Sequence, residues 1–223
     1  MSDDHHGAKD PLGPHLVSRM LFFSDAVFAI VLTLLVLELR PPPSETDLEL
    51  GKALLVMAPK FYAFAGSFAL VSVFWLAHMS ITRRMKAFDW PVSWANLVFL
   101  FTIAVMPFAT SLIGEHGTVG LSWRIYCAAL VAVSLTATVL LMTLVRDKGR
   151  LVGEITRREV AWRVSRSLSP GVAFAIGLGL SIAGHPALAG FCWVLIPLEM
   201  LVARLALGPR DTPPLPPMDE MTG

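Results

Sequence analysis

Six stretches of the chain are long and apolar enough to cross a lipid bilayer. A transmembrane helix needs about 20 consecutive residues that are mostly apolar. The pattern predicts spans at residues 20–39, 54–80, 90–113, 125–145, 167–184 and 187–207. The fourth span carries no charged residue, whereas Glu199 and Arg204 interrupt the sixth. We therefore predict an all-α integral membrane protein with six transmembrane helices.

The polar segments outside these spans predict the domain organisation. Residues 16–207 form the six-helix transmembrane domain, and residues 1–15 and the proline-rich segment 208–223 are expected to be disordered tails. The first span does not resemble a signal peptide, because it lacks a small-residue cleavage site and is followed by Glu38, Arg40 and three prolines.

The charges between the spans predict how the helices are oriented. One side of the membrane would carry 14 positively charged residues, whereas the other side would carry three, namely Arg40, Lys52 and Arg124. The richer side contains Lys9, Arg19, Arg83, Arg84, Lys86, Arg146, Lys148, Arg150, Arg157, Arg158, Arg163, Arg166, Arg204 and Arg210. Because loops on the cytoplasmic side carry the excess of Lys and Arg, both termini are predicted to be cytoplasmic. Two structures are open for the linker 146–166: an amphipathic helix on the inner leaflet, or a solvated basic loop.

Composition excludes several classes of protein. Of the 223 residues, 55% are hydrophobic and 16% charged, whereas an average soluble domain is about 25% charged. The formal net charge of +1 gives no basic excess, so we expect no nucleic-acid partner. Cys127 and Cys192 stand in apolar stretches without a Cys/His ligand pattern, so we expect neither a resident metal nor another cofactor.

Four of the ionisable side chains inside the predicted spans need an account, because such groups are costly in a membrane. Asp25, next to Ser24, either joins a buried polar cluster or extends to the membrane interface. His78 follows Trp75 by three residues and therefore shares its helix face. This pair is either part of the same cluster, or a core histidine beside an interfacial tryptophan.

We assign no function to the other two ionisable residues, Lys60 and Glu199. Lys60 stands close enough to the outer end of its span to extend to the interface, and no function is assigned to it. Glu199 is expected to pair with Arg204 or another cytoplasmic cation.

The sequence gives less direct information on how the apolar faces of the helices pack than on the polar residues. A row of small residues at every fourth position of the fifth span predicts close approach of a neighbouring helix: Gly171, Ala175, Gly179 and Ala183. In the fourth span we expect Leu140 and Leu141 to face lipid.

Known catalytic and channel motifs are absent from the sequence. The chain contains no GxSxG, HExxH or phosphate-binding loop, so we do not expect an enzyme. It also lacks a voltage-sensing arginine repeat and the TVGYG potassium filter.

The first span contains a specific motif, RMLFFSDAVFAIVLTLLVLELRPP from Arg19. It resembles the signature of the transmembrane protein 175 family of potassium channels, at Arg19, Phe23, Ser24, Asp25, Ala29, Ile30 and Thr33. The resemblance continues at Trp75, His78, Asn96 and Pro107, which match the second and third helices of the family. The specific motifs lie in the first half of the chain. Animal members carry two such repeats, so this chain is similar to the prokaryotic, single-repeat form.

The resemblance implies a fold and a function. Four copies would assemble into a homotetramer in the plasma membrane of a prokaryote, with the first helix lining a central pore. Potassium ions would pass transiently through an apolar constriction instead of a carbonyl filter. Ile30, Leu34 and Leu37 would form the constriction, and Thr33 a hydroxyl layer.

The resemblance also implies a polar network at the inner mouth of the pore. Its predicted members are Arg19, Phe23, Ser24, Asp25, Trp75, His78 and Asn96. Asp25 is expected to be the partner of Arg19 or His78.

Other functions stay open from the residues alone. Asp25, His78 and Glu199 could relay protons in a proton-conducting or proton-coupled transporter. A membrane-embedded enzyme and a scaffold without ion flux are further alternatives.

Overall fold

The computed structural model describes residues 12–85, 87, 89–149, 151–153 and 155–207, and these residues form helices without any β-strand. The helices are α1 (Leu12–Val36), α2 (Asp47–Val56), α3 (Ala58–Thr82), α4 (Trp90–Ala104), α5 (Met106–His116), α6 (Gly120–Gly149), α7 (Arg157–Ile182), α8 (Pro186–Ala189) and α9 (Leu195–Leu207). A 3₁₀ turn, Cys192–Val194, lies between α8 and α9. Because α1 begins at Leu12, residues 12–15 are helical. Residues 1–11 and the tail 208–223 lie outside the described residues.

Five stretches of the described chain are long and apolar enough to cross a membrane. They are His15–Val36, Ala58–Thr82, Trp90–His116, Gly120–Arg146 and Pro186–Leu207. The predicted fifth span, 167–184, lies mostly in the second part of α7, whose first ten residues carry four arginines. The all-helical membrane fold is therefore confirmed, and a sixth crossing by α7 stays a prediction.

Two of the spans are divided into shorter helices. Pro107 lacks the N–H that an α-helix would donate to Ile103, and the third span is interrupted at Val105, between α4 and α5. The last span is split into α8, the 3₁₀ turn and α9, with Pro186 in the first turn of α8. The apolar pattern predicted the presence of these spans but not their interruptions.

Of the two interpretations of the linker, the helical one is correct for residues 157–166, although it did not include their continuation into the next span. Residues 157–166 are the first part of α7 and continue without a break into the apolar part of that helix. Thr156 caps the helix by accepting a hydrogen bond from the Glu159 N–H at 3.1 Å. Glu159 also forms ion pairs with Arg84 at 3.1 Å and with Arg163 at 2.9 Å. The basic segment is therefore helical because its charges are paired with neighbouring helices.

Polar contacts show that the long helices alternate in direction. At one end, which we call the basic end, Arg163 donates to the Ser80 carbonyl at 2.8 Å and Arg146 pairs with Asp89. Arg158 donates to the Leu207 carbonyl at 3.2 Å, so α9 ends there too.

At the opposite end, Lys60 pairs with Glu115 at 3.0 Å, and Arg124 donates to the Ser181 carbonyl at 3.2 Å. The alternation follows the loop charges, and the cytoplasmic location of the basic end stays a prediction.

Lys60 and Glu199 make contacts in the structure that the sequence did not predict. Lys60, to which the sequence assigned no role, forms the ion pair with Glu115. Glu199 accepts a hydrogen bond from Ser169 at 2.7 Å and makes no ion pair among the described residues. A hydroxyl on the facing helix therefore satisfies this carboxylate in place of a cation.

The lipid-facing assignment of Leu140 and Leu141 was wrong, since each is only 1% exposed. Helix α6 packs against α4, α5 and α7, and these leucines lie in the core between them. The exposed face of α6 carries Leu135, Val139 and Met142 instead. A helix that is apolar on every side does not reveal by periodicity which side is buried.

The small-residue row predicts close packing correctly at one position. A Cβ on Gly171 would lie 2.6 Å from the Ser134 Cβ, so α6 and α7 approach closely there. A Cβ on Gly179 would meet nothing within 4 Å, and Ala175 is exposed. The contact face of α7 passes through Gly171 and Gly177 instead, and at Gly177 the sulfurs of Cys127 and Cys192 pack closely.

This difference gives a matched pair of substitutions. We expect Gly171→Ala to lower the free energy of unfolding by about 1–3 kcal/mol, because the new methyl group overpacks the α6–α7 contact. Gly179→Ala should be neutral or stabilising by up to about 1 kcal/mol, because alanine favours helix and the site is open. Thermal unfolding in detergent measures both variants. Equal destabilisation by the two substitutions would contradict the packing described.

Candidate functional site

Helix α1, which carries the sequence motif, has two distinct faces. Its buried face consists of Val17, Ser24, Phe28, Val31 and Leu35, and packs on α3, α4 and α5. Its exposed face follows alternating steps of four and three residues, through Arg19, Phe23, Ala26, Ile30, Thr33 and Leu37. Such spacing presents a continuous stripe, which is the pattern of a helix that meets partners on a second side.

The predicted constriction lies on the exposed face. Ile30 is 57% exposed, Leu34 41% and Leu37 64%. Leu37 follows the last residue of α1 and stands in a turn, with its N–H bonded to the Leu34 carbonyl at 3.1 Å. The three side chains are therefore available to an aqueous pathway or to another chain.

Thr33 is oriented by its own helix. Its hydroxyl donates to the Ile30 carbonyl at 2.8 Å and approaches the Ala29 carbonyl at 3.1 Å. Since the only proton of the hydroxyl is directed at the backbone, the oxygen presents its lone pairs outward. Thr33 can therefore offer an electron-rich oxygen in an otherwise apolar stripe.

A chain of buried hydrogen bonds joins α1, α4 and α3. Ser24 donates to the Met20 carbonyl at 3.0 Å and accepts from the Asn96 Nδ2 at 3.0 Å. The Asn96 Oδ1 then faces the His78 Nε2 at 2.9 Å. Because this oxygen can only accept, Nε2 must carry a proton. The hydrogen bonds therefore run in one direction, from His78 through Asn96 and Ser24 to a backbone carbonyl.

Aromatic rings enclose this chain. The His78 ring stacks on Phe99 with centroids 5.6 Å apart, and Phe28 lies 5.8 Å from His78. Thr82 donates to the His78 carbonyl at 2.9 Å. Ser24, His78 and Asn96 are almost fully buried, so the chain is shielded from the exposed face of α1.

A second bridge joins α1 to α3. The Trp75 Nε1 donates to the Asp25 Oδ1 at 2.9 Å. The indole of Trp75 is therefore the partner of Asp25, and the expectation that Asp25 pairs with Arg19 or His78 was wrong. An indole N–H satisfies the carboxylate without a second charge.

The structure thus brings five predicted members of the polar network into two bridges, and leaves two apart. Arg19 and Phe23 are exposed on the outer stripe of α1, and within the described chain Arg19 makes no hydrogen bond or ion pair. Within the same range, no group of three or more His, Cys, Asp or Glu side chains could hold a metal ion.

Sequence reasoning missed Phe28 and Phe99, which enclose His78. Their spacing contained a usable signal, since Phe28 follows Ser24 by four residues and Phe99 follows Asn96 by three. Both rings therefore share a helix face with a polar member of the network.

The chain is similar in sequence to several known proteins. The family model described as "Endosomal/lysosomal potassium channel TMEM175" matches residues 19–107. A protein named potassium channel from a Chryseobacterium species is 32% identical over 131 residues, which are 59% of this chain and 66% of that protein. One from Streptomyces collinus is 26% identical, and the match covers 82% of this chain and 85% of that protein. A rat protein named endosomal/lysosomal proton channel TMEM175 is 25% identical, and the match covers 56% of this chain but only 25% of that protein.

A solved structure is also similar. The crystal structure of a lysosomal potassium-selective channel TMEM175 homolog from Chamaesiphon minutus superposes with a TM-score of 0.71 at 26% identity. The superposition covers 85% of this chain and 98% of that one. The segment matched by the family model contains all five residues of the two bridges. Together, the motif, the sequence relatives and the shared fold show that this chain belongs to the TMEM175 family.

Proposed function

We propose that this protein is a potassium-selective cation channel, in which identical chains surround a central pore lined by α1. The observation that carries the proposal is the exposed stripe of α1, because the helix that bears the family motif presents a whole face that its own chain does not cover. The names of the bacterial relatives, which are potassium channels, support the choice of ion.

The stripe requires several chains. One α1 helix cannot enclose a pathway, so copies must contribute equally around a symmetry axis. We propose a homotetramer, as the resemblance implies. The copies of Ile30, Leu34 and Leu37 would then surround the axis, while the buried face of each α1 keeps its contacts with α3, α4 and α5.

Selectivity would arise from the energy of dehydration. Rings of isoleucine and leucine offer an ion no oxygen, so an ion that passes them must lose part of its hydration shell. K⁺ is larger than Na⁺ and holds water less strongly, so its penalty is smaller. The outward lone pairs of Thr33, one turn beyond Ile30, would compensate part of that penalty.

The buried hydrogen-bond chain would position the pore helix without contacting the ion. Ser24, Asn96 and His78 are buried away from the exposed stripe, and they hold α1 against two other helices. The rotation of α1 determines which side chains reach the axis. The polar network therefore acts on conduction through the orientation of Ile30, Thr33 and Leu37.

Proton conduction through the same pore is the second proposal, since the animal relatives are named proton channels. The buried hydrogen-bond chain is a poor pathway for protons, because it ends at the Met20 carbonyl, which cannot release a proton to a next acceptor. Protons would instead follow water in the pore.

We further propose that the protein is a multi-pass protein of a prokaryotic plasma membrane, with the basic end in the cytoplasm. The arginines of α7 and of the α3–α4 connection lie together at that end. An excess of basic residues marks the cytoplasmic side of membrane proteins.

Flux into proteoliposomes tests the function directly. We expect purified protein to carry K⁺ faster than Na⁺ without a counter-ion, and native mass spectrometry of the same sample to show tetramers. Liposomes without protein are the control. Proton flux measured in parallel decides the second proposal.

A conducting protein that is predominantly monomeric would exclude the central pore. An assembled protein without flux of any ion would exclude both channel proposals.

Ile30 is the residue whose substitution should change selectivity most directly. Ile30→Asn places amides on the pore stripe, which can replace part of the water lost by Na⁺. We expect the K⁺/Na⁺ permeability ratio to fall about tenfold, equivalent to about 1.4 kcal/mol, with K⁺ flux and tetramers retained. Reversal potentials in mixed K⁺/Na⁺ measure the ratio.

Leu135→Asn is the matched control, because Leu135 is 53% exposed on α6, away from α1. It should lower stability without changing the ratio. Unchanged selectivity in Ile30→Asn would exclude this ring, and Thr33 would become the leading candidate.

Asn96 is the central member of the buried chain. Asn96→Ala removes the acceptor of the His78 Nε2 proton and the donor to the Ser24 hydroxyl, which keeps its bond to the Met20 carbonyl. The unpaired buried imidazole N–H should cost about 1–3 kcal/mol. We expect a lower melting temperature and an unchanged K⁺/Na⁺ ratio in the channels that still assemble.

Ser93→Ala on the same helix is the control, because among the described residues its hydroxyl bonds only to the Asp89 carbonyl, and its loss should be nearly neutral. Loss of selectivity in Asn96→Ala without loss of stability would show that the network acts on the ion itself.

A further inference from the structure

The end of α1 opposite the basic end is attached to α5 by one hydrogen bond between side chains. The Ser111 hydroxyl donates to the Glu38 Oε2 at 2.9 Å. Glu38 stands in the turn that follows α1, and Ser111 lies in the second half of α5. Ser111 falls outside the segment that the family model matches. The contact is therefore separate from the polar network.

The neighbouring charges leave this hydrogen bond intact. Lys60, the nearby cation, is paired with Glu115 at 3.0 Å. Both residues line a small cavity together with Glu38, Ser111 and Leu35. Glu38 and Ser111 are each half-buried, so water competes only in part for their hydrogen bond.

Polar contacts thus hold α1 at its middle and just beyond its outer end, and the proposed constriction lies between them. Ser24 and Asp25 make the central contacts, and Glu38 makes the outer one. Ile30, Thr33 and Leu34 lie between these points. Apolar side chains that surround a wet pore tend to come together, because their contact releases water from apolar surface. Leu34 and Leu37 of neighbouring copies would therefore draw the outer ends of the α1 helices toward the axis.

We propose that the Glu38–Ser111 hydrogen bond opposes this collapse, and keeps the constriction wide enough for K⁺ by holding the outer end of α1 against α5. The proposal rests on the channel function proposed above. Glu38 and Ser111 are positioning residues, and neither has to contact the ion. The loss of one hydrogen bond in each chain would let the leucine rings close.

Substitutions at the two positions separate the hydrogen bond from the charge. Ser111→Ala and Glu38→Ala remove the bond, whereas Ser111→Thr keeps the hydroxyl and Glu38→Gln keeps an acceptor oxygen without the charge. Ser181→Ala is the matched control, because the Ser181 hydroxyl donates to the Gly120 carbonyl at 3.0 Å at the same end of the molecule without joining α1.

The measurements are K⁺ flux into proteoliposomes and the tetramer fraction in the same preparation. We expect both alanine variants to lose flux by at least about fivefold, the lower limit of typical conformational coupling, with tetramers retained. The double variant should be no slower than either single variant, since both remove the same bond. Ser111→Thr, Glu38→Gln and Ser181→Ala should conduct like the wild type.

Four results would overturn the proposal. Full flux in the alanine variants would show that the bond does not hold the pore open. A loss in Glu38→Gln as large as in Glu38→Ala would assign the effect to the charge. An equal loss in Ser181→Ala would make the effect a general one of packing at this end, and failure of both alanine variants to assemble would assign the bond to folding. Wild-type protein is measured first, and absence of its flux would instead refute the channel function.

Discussion

In the hydrocarbon core of a bilayer, no water is available to a buried hydrogen-bonding group. Each donor and acceptor must therefore have its partner within the protein. Ser24, Asn96 and His78 meet this requirement with one another, and each comes from a different helix. Their pairing therefore fixes the rotation of α1 relative to α3 and α4. Once Ser24 faces inward, Phe28, Val31 and Leu35 follow it into the core, and Ile30, Thr33 and Leu37 must face away. The exposed stripe that we propose to line the pore is thus a consequence of a buried polar contact on the other side of the same helix.

The positions of polar residues could be predicted from the sequence because such residues are rare in these spans. The orientation of apolar residues could not be predicted, because they occupy nearly every position. Ser24, Asp25, Trp75, His78 and Asn96 were named from the motif, and the structure brings them together. The specific partner of Asp25 was missed, since both an indole and a cation can satisfy a carboxylate. Leu140 and Leu141 were assigned to lipid and lie in the core, because α6 is apolar on every side. Neither hydropathy nor spacing distinguishes the two sides of such a helix.

Loop charges predicted the alternating direction of the helices but not where each helix begins. The arginines between α6 and α7 were expected in a linker, yet arginine is a good helix former and these side chains find partners on adjacent helices. The Glu159 carboxylate forms ion pairs with Arg84 and Arg163. The Ser80 carbonyl, near the end of α3, accepts a hydrogen bond from Arg163. The segment can therefore continue the helix of the fifth predicted span beyond its apolar part. The charges of a segment therefore predict on which side of the membrane it lies. Its secondary structure depends on contacts with other helices, which the charges do not predict.

A constriction made of side chains depends on helix position more strongly than a filter made of carbonyl groups. Backbone carbonyls are held by the local chain, whereas the tips of Ile30 and Leu34 move with the whole of α1. A small rotation or tilt of that helix changes the radius at every ring. The polar contacts of α1 lie at its middle, through Ser24 and Asp25, and just past its outer end, through Glu38, on either side of the proposed constriction. Apolar packing alone would let the helix slide or rotate at low cost in a membrane, because lipid offers leucine nearly the same environment as protein. Directional hydrogen bonds supply the restraint that such packing lacks, so in the proposed channel they would determine how far the apolar pore opens.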